Sequence, residues 1–404
     1  MAATLVGCGA PPKTVSAPPP PPQSPKAAPV APVTGTPLGP PTGAGPVKVA
    51  LLVPQSGPNA DLGKSMLEAA QLALFETGGD RLTLVPRDTG ATPESAANAA
   101  RAAIGEGAKL ILGPLLAGEV EAVRVPAQEA HVPVIAFSTA TQLAGGNIFL
   151  MGFLPKQEVQ REVGFARERG LQRFAALAPN TPYGHLMGDA LRDAATQAGG
   201  TIADIEYFDA RAPNAVAVVQ RLTGRAPTAG VTPAGGPAAQ PGPVGGFDAL
   251  LLPEGGDVLK GLARQVRQAG LDPAQVRLLG SGLWDDPASA GEPALLSGWF
   301  AASPPEARAQ FDQRFRATYG HPPPRLASLA FDAAALAAVL AKSGGPDPFT
   351  PDAIQNPRGF AGVDGLFRFT ADGLVQRGLA VLEVGPQGNT VVSPAPASFS
   401  DLTY

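Results

Sequence analysis

Hydrophobic and polar positions change period in a regular rhythm from Val47 onward. Residues 47–53 (VKVALLV) form a short apolar, β-branched run that gives way at Pro54 to a polar turn, Gln55, Ser56, Gly57, Pro58 and Asn59. A buried parallel strand ends at a ligand-facing loop in this way. From Asp61 the spacing changes: Leu62, Met66, Ala69 and Ala73 recur at i, i+4, i+7 and i+11, one face of an amphipathic helix. Gly78 and Gly79 stop it. Residues 81–86 supply the next strand, with Asp88 just past its carboxyl end. Strand, helix and strand in this space predict a right-handed βαβ unit.

The rhythm continues. Thr92 and Pro93 offer an N-cap with proline at the first helical position, opening a helix that runs to about Gly107. Residues 109–113 read as a strand, 117–130 as a helix, and 132–137 as a strand ending at Ser138 and Thr139. A second set opens with a strand over 148–153, a helix over 157–169 and a strand over 174–178 that leads into Asn180, Thr181, Pro182, Tyr183 and Gly184. A helix to Ala198, strands over 202–208 and 247–252, a short helix near 215–223, a helix over 255–269 and a strand over 276–279 complete it. That last strand ends at Ser281, Gly282, Leu283, Trp284 and Asp285.

Strands alternating with helices predict an α/β chain of two doubly wound, Rossmann-like lobes. Residues 326–342 then read as one long helix, and 362–373 with 379–384 as a β-hairpin. A helix and a hairpin left over after both lobes are built predict that the chain crosses back, one piece to each lobe. The lobes are then joined by a multi-crossover hinge. The expected boundaries are 47–404 for the folded region, with lobe 1 over about 47–147 plus 324–345 and lobe 2 over about 148–323 plus 346–390. Residues 224–246, rich in glycine, proline and alanine, read as a disordered insertion, because surface loops absorb length at small entropic cost.

In open α/β sheets ligands sit beyond the carboxyl ends of the strands. That rule collects Ser56, Asp88, Pro114, Ser138 and Thr139 from lobe 1, and Tyr183, Glu254, Trp284 and Asp285 from lobe 2. Hydroxyls, a few acids and two aromatics suit a small polar ligand. Each residue also has a plain structural reading: Ser56 and Ser138 as helix caps, Asp88 bonding its own loop, Trp284 as packing between lobes. Gly57, Gly63, Lys64 and Ser65 imitate a phosphate-binding loop, but the glycines stand one residue too far apart for its backbone cradle. Lys64 and Ser65 are expected on the solvent side of the helix.

Charge narrows the function. A net charge of -4 gives no broad basic field, so nucleic acid is not an expected partner. The most apolar stretch, 326–340, is broken by Asp332 and reads as a core helix, not a membrane span. His131, His185 and His321 lie far apart without metal spacing, and no G-x-S-x-G occurs. No enzyme, cofactor or metal site is expected.

The single cysteine, Cys8, excludes an intrachain disulfide and a thiolate metal site. Its setting, Leu5, Val6, Gly7 and Cys8, resembles the bacterial lipobox, whose cysteine carries the lipid. A signal peptide needs an apolar segment of about 7–15 residues, and only Met1 to Thr4 precede Leu5. Either the chain starts further upstream or Cys8 is an incidental thiol; the following segment favours lipidation. Residues 9–46 contain fourteen prolines and no helix or strand period. They bury too little apolar surface to offset their ordering entropy, and read as a semi-extended tether reaching at most roughly 100 Å. A lipid at one end and a folded domain at the other describe a protein held near a membrane and working away from it.

Several motifs carry a family resemblance. LLVPQSGPNADLGKSMLEAAQLAL, the GPL of Gly113 to Leu115, VPVIAFST and APNTPYGHLMGDAL look like the type I periplasmic binding fold of the branched-chain amino acid receptors, over about 47–384. Within that class LILGPLL, FDALLLPEGGDVL, VRLLGSGLWDD and RLASLAFDAAALAAVLA most resemble the penicillin-binding protein activator lipoproteins. That resemblance implies a non-catalytic lipoprotein in the inner leaflet of the outer membrane, stimulating a peptidoglycan synthase across the periplasm. Gly9 follows the cysteine in place of the aspartate that in many lipoproteins signals inner-membrane retention. The best-known activators carry a helical repeat domain ahead of the binding fold, where this chain has the proline tether.

The alternative is a solute-binding receptor lipoprotein of an ABC importer for amino acids or related small polar ligands. Such receptors hold the ligand carboxylate with hydroxyls in the loops after the third and fourth strands, and the ammonium with an acid after the last strand of lobe 2. Here the loop 113–119 has no Ser or Thr, and Gly282 stands at the acid's place. Tyr183, from the YG pair, matches the receptor pattern. A zwitterion left with unpaired charges binds poorly, so the resemblance leaves room for a different ligand that engages Trp284 or Asp285.

Overall fold

The computed structural model describes residues 45–209, 215–224, 246–286, 289, 291–343 and 345–401. Cys8, the tether up to residue 44 and the expected insertion at 225–245 lie outside the described residues.

β1 (Val47–Val53) is buried on both faces from Val49 onward: Val49, Leu51 and Val53 join one apolar cluster, Ala50 and Leu52 another. A central parallel strand covered by helices on both sides requires this, which is why the run is continuous and not alternating. With β2 (Leu82–Asp88), β3 (Leu110–Leu112), β4 (Val134–Ala136) and β5 (Ile148–Leu150) it forms an all-parallel sheet in the order β2-β1-β3-β4-β5. The helices between these strands are α1 (Ala60–Thr77), α2 (Pro93–Gly105) and α3 (Ala117–Glu129).

The second sheet repeats the scheme. α4 (Pro155–Glu168) leads into β6 (Arg173–Pro179), α5 (Pro182–Gln197), β7 (Thr201–Phe208), α6 (Val216–Leu222), β8 (Ala249–Leu252), α7 (Gly256–Gln268), β9 (Arg277–Gly280) and β10 (Trp299–Ala302). The strand order β7-β6-β8-β9-β10 matches that of the first sheet. Both lobes also open a helix alike: Thr92 and Thr181 accept hydrogen bonds of 3.2 Å from the N–H groups of Ser95 and Gly184, each with proline next in sequence.

The remaining chain is shared out. α8 (Pro305–Tyr319) returns to lobe 1, where Phe311 and Phe315 enter the core and the Tyr319 hydroxyl donates to Glu68 O at 2.8 Å. α9 (Ala327–Ser343) lies against α1 with nearly every residue buried, as an almost uniformly apolar helix must. After α10 (Pro351–Ile354), a small antiparallel sheet of β11 (Phe360–Gly362), β12 (Gly365–Phe369) and β13 (Val375–Arg377) packs on the same core. β14 (Ala380–Gly385) then pairs antiparallel with β10, and β15 (Gly388–Ser393) with β14, at the edge of the second sheet.

The chain therefore passes between lobes three times, after β5, after β10 and after β13. The two-lobed, multi-crossover architecture is present, with five corrections. Residues 351–377, expected in lobe 2, pack on the lobe 1 core as α10 and β11 to β13. β5 pairs in parallel with β4, so residues 148–150 close lobe 1 and do not open lobe 2. α8 belongs to lobe 1, because its apolar side meets α1 and α9. Residues 379–384 do not pair with 362–373: β12 takes β11 and β13 as partners, and β14 crosses to the other lobe. Ser65 is buried, its hydroxyl bonded to Asp61 O at 3.1 Å, while Lys64 is solvent-facing as expected.

Candidate functional site

With the strand order β2-β1-β3 in one lobe and β7-β6-β8 in the other, the direction of winding reverses beside β1 and beside β6. The loops at those switch points form the ligand crevice of doubly wound sheets. In lobe 1 they follow β1 and β3; in lobe 2 they follow β6 and β8.

The lobe 1 wall is largely self-satisfied. Asp88 Oδ1 accepts 2.8 Å bonds from the N–H groups of Gln55 and Gly90. Burial raises its pKa, but these bonds, together with the Ser56 hydroxyl and N–H, outweigh burial and leave it below the ordinary carboxylate value. Asp88 and Ser56 thus clasp the β1 loop, and both are exposed at its rim. Ser138 is buried and accepts a 3.2 Å bond from Ala140 N–H, while Thr139 beside it is exposed. In the first turn of α3, Glu119 is buried and accepts from Leu116 N–H at 3.3 Å. Burial holds its carboxyl above the usual range against the bond of that N–H. A carboxylate of the chain's own thus occupies the first turn of α3.

The lobe 2 wall centres on Tyr183, in the first turn of α5. Burial drives its phenol well above its ordinary pKa, reinforced by Glu158 and opposed by a hydrogen bond with the Ser281 side chain. Tyr183 therefore stays protonated and available to hydrogen-bond at any physiological pH. Glu254, after β8, is half-buried and also raised, by burial first, against the bond from Gly255 N–H. Beneath this wall Glu158 of α4 is buried and accepts a 2.9 Å bond from Gly282 N–H.

Trp284 does not line the cleft. Its side chain has no exposure, its Nε1 donates to Leu252 O at 3.1 Å, and its ring lies 6.2 Å from that of Phe300 in the lobe 2 core. Gly280 makes room for it, since a Cβ there would stand 2.1 Å from the indole. It packs within lobe 2, not between lobes. Asp285 faces the other way and meets Arg325 Nη1 of lobe 1 at 3.5 Å. Burial raises its carboxyl despite Arg325 and Arg308 nearby.

The structure thus gathers Ser56 with Asp88, and Tyr183 with Ser281, Glu254 and Glu158. Glu119, Glu158 and Arg325 were not singled out by sequence. For Glu158 a signal existed: with Glu162 it forms an i, i+4 pair on α4 beside Val159 and Val163, so two acids ride the buried side of a helix. A separate cavity of about 200 Å³ lies where α4 meets β13, lined by Lys156, Gln160, Leu186, Thr370, Asp372 and Gln376 among others.

Comparison with known proteins decides the family. The periplasmic binding protein family matches residues 46–389, nearly all of the described fold.

The chain belongs to the periplasmic binding protein family.

Solved structures of solute-binding proteins share its two-lobed fold. A branched-chain amino acid ABC transporter periplasmic ligand-binding protein of Burkholderia xenovorans superposes with a TM-score of 0.70 at 19% identity, over 86% of this chain and 95% of that one. A solute-binding protein of R. palustris in complex with benzoate gives 0.60 at 19%, over 87% and 98%. The branched-chain amino acid substrate-binding protein of Streptococcus pneumoniae in complex with isoleucine gives 0.59 at 21%, over 86% and 100%. At such identities the likeness is one of fold. An uncharacterised protein of Rickettsia prowazekii is 21% identical over 163 residues, 40% of this chain and 43% of that protein's length.

Proposed function

We propose that this protein is the solute-binding component of an ABC importer, taking a small polar ligand between its lobes. The observation that carries this reading is the lobe 2 wall: Tyr183 in the first turn of α5 and the half-buried Glu254 after β8, at the switch point of a hinged two-lobed fold. Family neighbours that bind isoleucine and benzoate support it. Membership of a periplasmic binding family supports a periplasmic location, and a lipid on Cys8 with the proline tether forms part of the same proposal. The activator function expected from the motifs LILGPLL and RLASLAFDAAALAAVLA, with a penicillin-binding protein as partner at the outer membrane, is the second reading. It is favoured by those motifs alone.

Thermal unfolding of the full chain with leucine, isoleucine, benzoate and muropeptides separates the two. A ligand at a thousand times its Kd adds about 4 kcal/mol, and each kcal/mol moves the midpoint by roughly 2–4 °C, so a true solute raises Tm by about 10 °C. Tyr183→Ala should abolish that rise. A flat panel, together with capture of a purified penicillin-binding protein that Tyr183→Ala leaves intact, would reverse the preference. Mass spectrometry of the membrane fraction, with Cys8→Ser as control, tests the anchor.

A further inference from the structure

We infer that Arg325 is an inter-lobe latch: a lobe 1 guanidinium that grips the lobe 2 loop after β9 and so sets how far the cleft opens. The backbone of Arg325 belongs to lobe 1. Its carbonyl accepts from Ser328 Oγ of α9 at 2.9 Å and from Arg308 Nη1 of α8 at 3.3 Å. The side chain leaves that lobe. Its guanidinium carbon lies 4.3 Å from the ring centroid of Phe153, on the crossing after β5, and its Nη1 is 3.5 Å from Asp285 Oδ2 in lobe 2.

A third contact lies at Gly282. A Cβ built there would stand 3.0 Å from Arg325 Nη2 and 2.7 Å from Glu158 Oε1, so the guanidinium and the buried carboxylate both press on the space that glycine leaves open. Glu158 in turn holds Gly282 N–H. The loop 282–285 is thus held from lobe 2 by Glu158 and from lobe 1 by Arg325.

The arrangement suits a latch better than a surface ion pair. Only 27% of the Arg325 side chain is exposed, so solvent and salt screen it less than a pair on an open surface. A planar guanidinium can stack on a ring with its face while bonding a carboxylate with its edge, which an ammonium cannot. Phe153 is shared: Arg377, buried and donating to Met151 O at 2.8 Å, lies 5.0 Å from the same ring. Phe153 sits on the crossing after β5, whereas Asp285 belongs to the lobe 2 loop after β9. Opening the cleft therefore stretches Arg325 from Asp285 while its stack on Phe153 persists, so the guanidinium stays poised to re-engage.

This inference goes beyond the solute-binding reading and is tested with no solute added, so either can fail alone. Spin labels at Gln71→Cys on α1 and Gln268→Cys on α7, in the full chain carrying Cys8→Ser, report the inter-lobe distance by double electron–electron resonance. Arg325→Gln and Asp285→Asn should each shift the distribution to longer distances, and the double variant should add nothing further. Arg325→Lys, which keeps the charge and loses the stack, should fall between. A distribution unchanged in Arg325→Gln, with cooperative melting retained, would overturn the latch. So would a shift in Arg325→Gln that Asp285→Asn fails to reproduce. Asp285 is only partly buried, so its variant carries the test if Arg325→Gln does not fold.

Discussion

Gly63 of α1 stands against the carbonyl oxygen of Pro54 so closely that a Cβ on it would fall 1.7 Å from that atom. Gly184 of α5 meets the carbonyl of Pro179 in the same way, at 1.9 Å. In both lobes the end of the first strand and the start of the next helix touch backbone to backbone, and the loops bearing Ser56 and Tyr183 are drawn tight over the strand ends. The obstacle is main chain and cannot swing aside, so Gly63→Ala and Gly184→Ala should each cost about 3 kcal/mol in urea unfolding, the upper part of the overpacking range. Gly164, inside α4 with nothing within 4 Å of its Cβ position, is the control: Gly164→Ala should stabilise by about 0.5–1 kcal/mol.

Trp284 holds the loop after β9 onto the end of β8. Trp284→Ala should cost about 3–5 kcal/mol and lower Tm by roughly 10 °C at about 2–4 °C per kcal/mol. Trp284→Phe keeps most of the burial and loses the bond to Leu252, for about 1 kcal/mol. Loss of ligand affinity in Trp284→Phe at unchanged stability would return this residue to the cleft.

The carboxyl of Asp332 on α9 is buried and accepts from Val363 N–H at 2.7 Å. Burial first, then neighbouring Asp364, push it up to about 7 against the pull of Arg377. An unfolded aspartate titrates near about 3.9, so between these values the native state keeps a proton that the unfolded state has released. Stability therefore falls as pH rises through that window, by at most about 1.4 kcal/mol per unit, and levels off above it. Glu158 and Glu162, also raised by burial, act in the same sense. Chemical denaturation at pH 5 and pH 8 should show a smaller fall for Asp332→Asn than for the parent; equal falls would exclude Asp332 as the source.

Asp248 works in the opposite direction. It accepts bonds of 2.9 Å from the N–H groups of Gln172 and Arg173 and of 2.7 Å from the Arg173 guanidinium. Burial opposes ionisation, but these donors prevail and the carboxyl lies below its ordinary value. Its contribution is present above the ordinary carboxylate pKa and is lost as pH falls through the lowered one. Asp248→Asn should cost about 1–3 kcal/mol at neutral pH, with the gap to the parent closing in acid. A gap that persists at the lowest pH would assign the loss to geometry instead of charge.

The architecture was legible because the first sheet and the five central strands of the second are parallel and covered by helices, which writes strands as solid apolar runs and helices as 3.6-period stripes. Thr92 with Pro93 marked a helix start outright, and Thr181 with Pro182 carries the same signature. What escaped were elements whose signal is short or borrowed. β10 is four residues, WFAA, with no alternation. α8 shows the core only Phe311 and Phe315 at full burial. β5 is as apolar as any lobe-opening strand, and only its pairing with β4 assigns it. The YG pair pointed to Tyr183, which the structure places in the first turn of α5 after β6. Trp284 was misread because position after a strand does not say which way a side chain turns, and an indole so close to Gly280 turns inward. Arg325 was invisible because its partners, Asp285 and Phe153, lie in parts of the chain brought near only by the crossings.

Those crossings also set the order in which the chain can become a protein. Lobe 1 needs α9 to cover α1 and β13 to complete its core, so its first strand waits for partners made some three hundred residues later. Lobe 2 waits for β14 at its sheet edge. Such long closures are entropically slow, and a nascent chain stopped at Ser303 would hold an unfinished version of each lobe. Completion of either lobe therefore waits until almost all of the polypeptide has emerged. That suits a chain threaded through a membrane pore before it folds, as the proposed periplasmic location demands.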